Sequence, residues 1–169
     1  VMSLGEAGVF GDDETHFNGP ADVLVAPNGE IWVADGHRGG NNRIVKFSPD
    51  GRFILQVGGG VGSESKEAGR FDDPHGLAMD SQGRLFVADR GNNRIQIFGQ
   101  DGNLQDIWTQ FGKPSGLVID QNDVLYVVDG LSGRFRPGWR SNMGWETGLR
   151  VGDARTGWVT AFIPDQRSG

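Results

Sequence analysis

Along the first sixty residues, short β-rich runs alternate with turn-forming residues, and no window sustains an apolar residue every third or fourth position as a helix would. The pattern predicts strands over 23–25, 31–34, 43–47 and 53–57. Asn28-Gly29 and Asp50-Gly51 fall between them, and such dipeptides supply the positive φ that tight hairpins need. Four short strands joined by tight turns make an antiparallel meander.

The same pattern recurs. Segments Pro20 to Asp35, Pro74 to Asp89 and Pro114 to Asp129 align without a gap, each running 15 steps from Pro to Asp. The first two continue alike, Asn41-Asn42-Arg43-Ile44 through Phe47 matching Asn92-Asn93-Arg94-Ile95 through Phe98, and both reach an Asp-Gly turn at 50–51 and 101–102. A four-stranded antiparallel unit repeated about every 40 residues is a β-propeller blade, so the expected class is all-β. The repeat divides the chain into blades at 16–60, 70–110 and 111–166, the last with a long insert at 131–147. Residues 1–8 resemble Ile54 to Gly60, which predicts the outer strand of a preceding blade. About three blades make half of a six-bladed ring, and an open arc leaves apolar blade faces bare at both ends. Such an arc is either part of a longer chain or half of a homodimer.

Composition narrows the chemistry. Among 169 residues the formal net charge is −6, which argues against a nucleic-acid partner because phosphate binding needs a basic face. There is no Cys, hence no disulfide and no thiolate chemistry. No apolar run approaches the roughly 18 residues of a membrane span. The 29 glycines are spread evenly, as tight turns between short strands require. A Gly-x-Ser-x-Gly nucleophile elbow is absent, and the Gly-rich stretch 58–62 precedes no helix that would make it a phosphate loop.

The elements Pro-x-x-Leu/Val, Leu/Ile-x-Val-Ala-Asp and Asn-x-Arg-Ile-x-x-Phe resemble the NHL repeat. Over residues 16–98 the likeness sharpens: His16-Phe17, Asp35-Gly36, Pro74-His75 and Ala88-Asp89-Arg90 look like the catalytic core of the peptidyl-α-hydroxyglycine α-amidating lyases. Gly130 to Asp165 looks more like uncharacterised bacterial NHL proteins. The resemblance implies a six-bladed propeller, an extracytoplasmic location, and cleavage of a hydroxyglycine-extended peptide to an amide and glyoxylate. It also implies zinc held by histidines of different blades at the position after the inner-strand proline. His75 occupies that position, whereas Ala21 and Ser115 take it in the other repeats. The family's substrate-binding arginine corresponds to Arg90, and its catalytic tyrosine is replaced by His37.

In an up-and-down blade the start of the first strand and the end of the second share one edge. His37, His75 and Arg90 are therefore expected on one rim, with His37 and Arg90 as candidate catalytic residues and His75 as candidate metal ligand. The insert adds Arg134, Arg136 and Trp139 as candidate ligand-binding residues, a set that suits a carboxylate beside an apolar group. Each has a structural alternative: His75 as a hydrogen-bonding cap, Arg90 as the partner of Asp35 or Asp89, Trp139 and Trp145 folded over a blade. Arg43 and Arg94 recur at one repeat position, which favours a bond within each blade. Asp12, Asp13 and Glu14 with Asp72 and Asp73 form a lesser candidate site, for calcium. Two functions follow: a scaffold binding a small-molecule or peptide ligand at a loop-rich rim, or a metal-dependent lyase with zinc near His75 and Arg90 holding a substrate carboxylate.

Overall fold

The computed structural model describes residues 2–60, 65–133, 142 and 144–166. They form twelve strands in three four-stranded antiparallel sheets, each a blade. The first blade runs β1 (Pro20–Val25), β2 (Ile31–Asp35), β3 (Arg43–Phe47) and β4 (Phe53–Gly58). The second holds β5 (Pro74–Met79), β6 (Leu85–Asp89), β7 (Arg94–Phe98) and β8 (Leu104–Trp108). The third holds β9 (Pro114–Ile119), β10 (Val124–Asp129), β11 (Gly148–Asp153) and β12 (Val159–Pro164). In each blade neighbouring strands in sequence are neighbours in the sheet, as short hairpins dictate. Arg90–Asn92 adds one 3-10 turn. The fold is all-β and of propeller type, and among the described residues no helix is long and apolar enough to cross a membrane.

The 15-step spacing has a direct geometric cause. Pro20 faces Asp35, Pro74 faces Asp89 and Pro114 faces Asp129 across the first two strands of each blade. Proline closes the hairpin where no ladder donor is needed. The aspartate then gathers the blade together. Asp35 accepts from Arg43 Nε (3.0 Å) and Asn18 N (2.9 Å). Asp89 accepts from Arg94 Nε (2.6 Å), Asn92 Nδ2 (2.9 Å), Gln96 Nε2 (3.0 Å) and Asp72 N (2.8 Å). Each arginine also donates to the linker before its blade: Arg43 to the carbonyls of Asp12 and His16, Arg94 to those of Lys66, Glu67 and Arg70. The within-blade role of Arg43 and Arg94 is thus found, with the His16 and Arg70 carbonyls at matching places. In the third blade Arg150 replaces them, donating to Asp129 from Nη1 (3.1 Å).

Blades meet face to face. Trp32, Ile44, Phe71, Leu85 and Phe98 fill the seam between the first and second. Phe86, Ile95, Trp108, Phe111 and Leu125 fill that between the second and third. β6 and β7 are buried along their whole length because both faces of the middle blade are covered. The inner strands β1, β5 and β9 lie side by side, and Asp22 Oδ2 accepts from Leu77 N (2.8 Å) across the first seam.

Residues 2–8, expected as the outer strand of a preceding blade, pair with none of these three sheets. Leu4 instead packs, with Phe17, on the outward face of the first blade over Ile31, Val33, Val45 and Phe47.

Candidate functional site

The Pro–Asp pairs set one rim, and three local devices aim side chains across it. The first is the turn after β2, where Gly36 N and His37 N both donate to Gly19 O (3.0 and 2.8 Å). A Cβ on Gly36 would stand 2.5 Å from Pro74 Cδ, so only glycine lets this loop close against the start of β5. The second is a β-bulge: register shifts between Pro74 and Leu77, and His75 sits within it. Bulges re-aim side chains that the pleat would otherwise send to a fixed face. The third is the 3-10 turn that begins at Arg90.

Together they bring the rim residues of two blades into contact. The rings of His37 and His75 meet edge to face with centroids 5.1 Å apart. Arg90 Nε donates to Asp73 Oδ2 (2.9 Å), and Nη2 donates to the same oxygen. Asp73 Oδ1 and Arg90 Nη2 lie 3.5 and 3.4 Å from His37 Nδ1. Asp73 holds a positive φ of 58° and is fixed by donating its N–H to Asn42 Oδ1 (2.9 Å). Asp73 therefore joins the residues expected here, and it takes Arg90 from both partners anticipated for it. Asp35 and Asp89 are already committed to Arg43 and Arg94.

His75 Nδ1 lies 2.8 Å from Ser115 O on β9. A carbonyl only accepts, so Nδ1 carries the proton and Nε2 keeps its lone pair. Burial, and then the Arg90 guanidinium, pull this imidazole below its ordinary value, which favours the neutral form. The arrangement offers a neutral imidazole nitrogen beside an ion-paired guanidinium.

A further rim residue comes from the third blade. Lys113 is buried and donates from Nζ to Arg90 O (3.0 Å) and to Asn93 Oδ1 (3.3 Å). Burial, and then Arg90, hold its ammonium below the usual lysine range. Its position, immediately before the inner-strand proline, is Gly19 and Asp73 in the other blades. That column of the repeat carries the signal for both Asp73 and Lys113.

The remaining candidates stand apart. Arg134, Arg136 and Trp139 lie outside the described residues. Trp145 stacks on Arg150, whose guanidinium also lies over Phe162, so this tryptophan folds onto its own blade. Asp13 accepts from Thr15 N and Oγ1 and pairs with His16, turning inward on its own loop.

Zinc, which the resemblance implies, fits this chain only in part. His75 has the arrangement of a metal-binding histidine, its second nitrogen anchored to a carbonyl. A catalytic zinc needs about three protein ligands, and among the described residues no three His, Asp or Glu side chains are grouped to hold a metal.

Residues 17–47 and 71–98, which cover β1–β3 and β5–β7 with the linkers before them, match the NHL repeat. The chain carries NHL repeats. It is 48% identical over 136 residues to peptidyl-glycine alpha-amidating monooxygenase B of Xenopus laevis, covering 77% of this chain and 15% of that protein. It is 43% identical over 99 residues to a probable peptidyl-alpha-hydroxyglycine alpha-amidating lyase of Caenorhabditis elegans, covering 58% of this chain and 27% of the other. Human NHL repeat-containing protein 3 is 41% identical over 135 residues, covering 76% of this chain and 38% of that protein. The chain thus spans under half the length of these relatives. Among solved structures, a gluconolactonase of Xanthomonas campestris superposes with a TM-score of 0.62 over 98% of this chain and 52% of that one. At 21% identity that likeness speaks to the propeller fold alone.

Proposed function

We propose that this chain is part of a six-bladed NHL propeller that binds a small-molecule or peptide ligand at the rim formed by His37, Asp73, His75 and Arg90. The supporting observation is the contact of His37, from the first blade, with His75 and with the Arg90–Asp73 ion pair of the second. Asp73 here plays the part of a resident carboxylate, so the guanidinium is already oriented for a ligand's carboxylate to exchange with it or bind beside it. The Arg134, Arg136 and Trp139 segment would supply the apolar side of the ligand's contacts. A second copy would complete the ring wherever no further blades do so.

The test is equilibrium binding of an acylglycine, a compound with a terminal carboxylate beside an amide. Arg90→Gln is expected to weaken binding by roughly 10- to 100-fold, the cost of one hydrogen bond to a charged group. Wild-type protein that binds no acylglycine, or binding indifferent to Arg90, overturns this reading.

The relatives favour a second reading, that the complete propeller is a lyase acting on peptidyl-α-hydroxyglycine. A match over 77% of the chain necessarily includes His75 and Arg90. In this reading Arg90 holds the substrate carboxylate, His37 moves a proton at the substrate hydroxyl, and His75 is one zinc ligand among others from outside the described residues. Stoichiometric zinc that is lost in His75→Ala supports it, and metal-free protein with no turnover of an acyl-α-hydroxyglycine removes it.

A further inference from the structure

From the contacts at the start of β9, we infer that Lys113 is a positioning residue for Arg90, so that the third blade sets the geometry of a rim whose functional side chains belong to the first two. This rests on Arg90 being the ligand-holding residue proposed above.

Both functional side chains of the middle blade are held by Lys113 and Ser115, which flank Pro114. Ser115 O accepts from His75 Nδ1 at 2.8 Å, and Lys113 Nζ donates to Arg90 O at 3.0 Å. The Arg90 carbonyl also accepts from Asn93 N (3.2 Å), the bond that closes the 3-10 turn. Lys113 thus grips the turn at the residue from which the guanidinium projects. Its own backbone is fixed by donating N–H to Asp129 Oδ2 (2.9 Å), the carboxylate that closes the third blade. An unbroken polar path follows, from Asp129 through Lys113 and Arg90 to Asp73 and His37.

The first seam shows what the lysine adds. There Asp73, in the column of Lys113, docks on Asn42 through its backbone N–H (2.9 Å). Lys113 meets the corresponding Asn93 with its side chain (3.3 Å). Asn42 and Asn93 both adopt left-handed backbone, with φ of 52° and 55°. Docking on this asparagine is therefore common to both seams, while the reach to the arginine carbonyl belongs to Lys113. A buried ammonium is expensive to maintain, and the apolar seam beside it shows that packing alone can join these blades.

The experiment follows the Arg90 Nε–Hε NMR resonance in the full chain, assigned by its loss in Arg90→Lys. In Lys113→Met the signal is expected to shift or broaden together with the His37 and His75 ring signals, while resonances of the apolar core of the first seam, Trp32 and Phe71 among them, stay in place. Lys113→Arg, which can still donate to the carbonyl, is expected to restore it. Where Lys113→Met fails to fold, Lys113→Gln is read in its place. An Arg90 signal unmoved in the folded variant, or a change spread evenly over the whole spectrum, overturns the inference. The second readout is acylglycine affinity, expected to fall about tenfold in Lys113→Met through misplacement of the guanidinium. If wild-type protein binds no acylglycine, the ligand reading fails by itself and the Arg90 resonance still decides the role of Lys113.

Discussion

The first and third blades each turn one face away from the rest of the arc, and the two faces differ. On the first, Val45 and Phe47 are 0% and 3% exposed because Leu4 and Phe17 lie over them. On the third, Val118, Val128 and Ile163 are 62%, 51% and 57% exposed. Cross-strand pairing puts these valines and the isoleucine on one face, with Tyr126 opposite Val118 and Leu149 joining Val128 to Ile163. The same repeat therefore yields one end shielded by its own chain and one apolar end that is open. Even the shielded end is covered only over β2 and β3, since Val23 and Val25 on β1 remain exposed. An apolar blade face is thus a demand for a neighbour, and a linker peptide meets only part of it.

Substitutions can break this contrast in order of size. Phe86→Ala, in the closed seam against Trp108, is expected to remove about 3–5 kcal/mol in a urea titration, because a large buried cavity opens with no means of collapse. A loss below about 1 kcal/mol would mean that the seam is as loose as the open face. Arg94→Met comes next, at about 3 kcal/mol, since it strands a buried carboxylate. Its pH dependence sharpens the test. Burial pushes Asp89 up to about 6. The unfolded chain titrates this group near 4, so the native state binds the extra proton between about pH 6 and 4. The contribution of Asp89 to stability therefore increases as pH falls from about 6 to 4, and Asp89→Asn should flatten that part of the pH profile. Leu4→Ala should cost about 1 kcal/mol for a half-covered side chain, and less if the N-terminal segment shields nothing. Smallest is Val128→Ser, within about 0.5 kcal/mol for an open face. A larger loss, or a melting temperature that rises with protein concentration, would show that a second copy covers it.

Most of the fold was legible because its determinants are local. The Pro-to-Asp spacing is a hairpin, the Asn-Gly and Asp-Gly pairs mark turns between successive strands, and the recurring Arg43 and Arg94 stand opposite the aspartates they bind. The third blade's arginine escaped this reading. Its insert separates Asp129 from Arg150, and Arg150 stands opposite Val127 and reaches back. The rim was partly legible: strand ends place His37, His75 and Arg90 at one edge, but pairing across a seam is not a local property. Arg90 meets Asp73 because a left-handed backbone just before β5 presents that carboxylate 17 residues earlier, and His37 of the first blade then approaches both. Lys113 shares the repeat column of Asp73, but its partners are a backbone carbonyl and an asparagine in the preceding blade, which no motif announces.

The closing aspartates have a consequence for engineering. Asp35, Asp89 and Asp129 lock the strand ends before the rim loops begin, so the blade is complete whatever is spliced in after them. Loops of quite different length already leave from this point: β3 resumes at Arg43, β7 at Arg94 and β11 at Gly148. Each aspartate works as a bulkhead between frame and cargo. A foreign recognition loop grafted between residues 132 and 147 would inherit a rigid mount and a fixed outlook onto the rim.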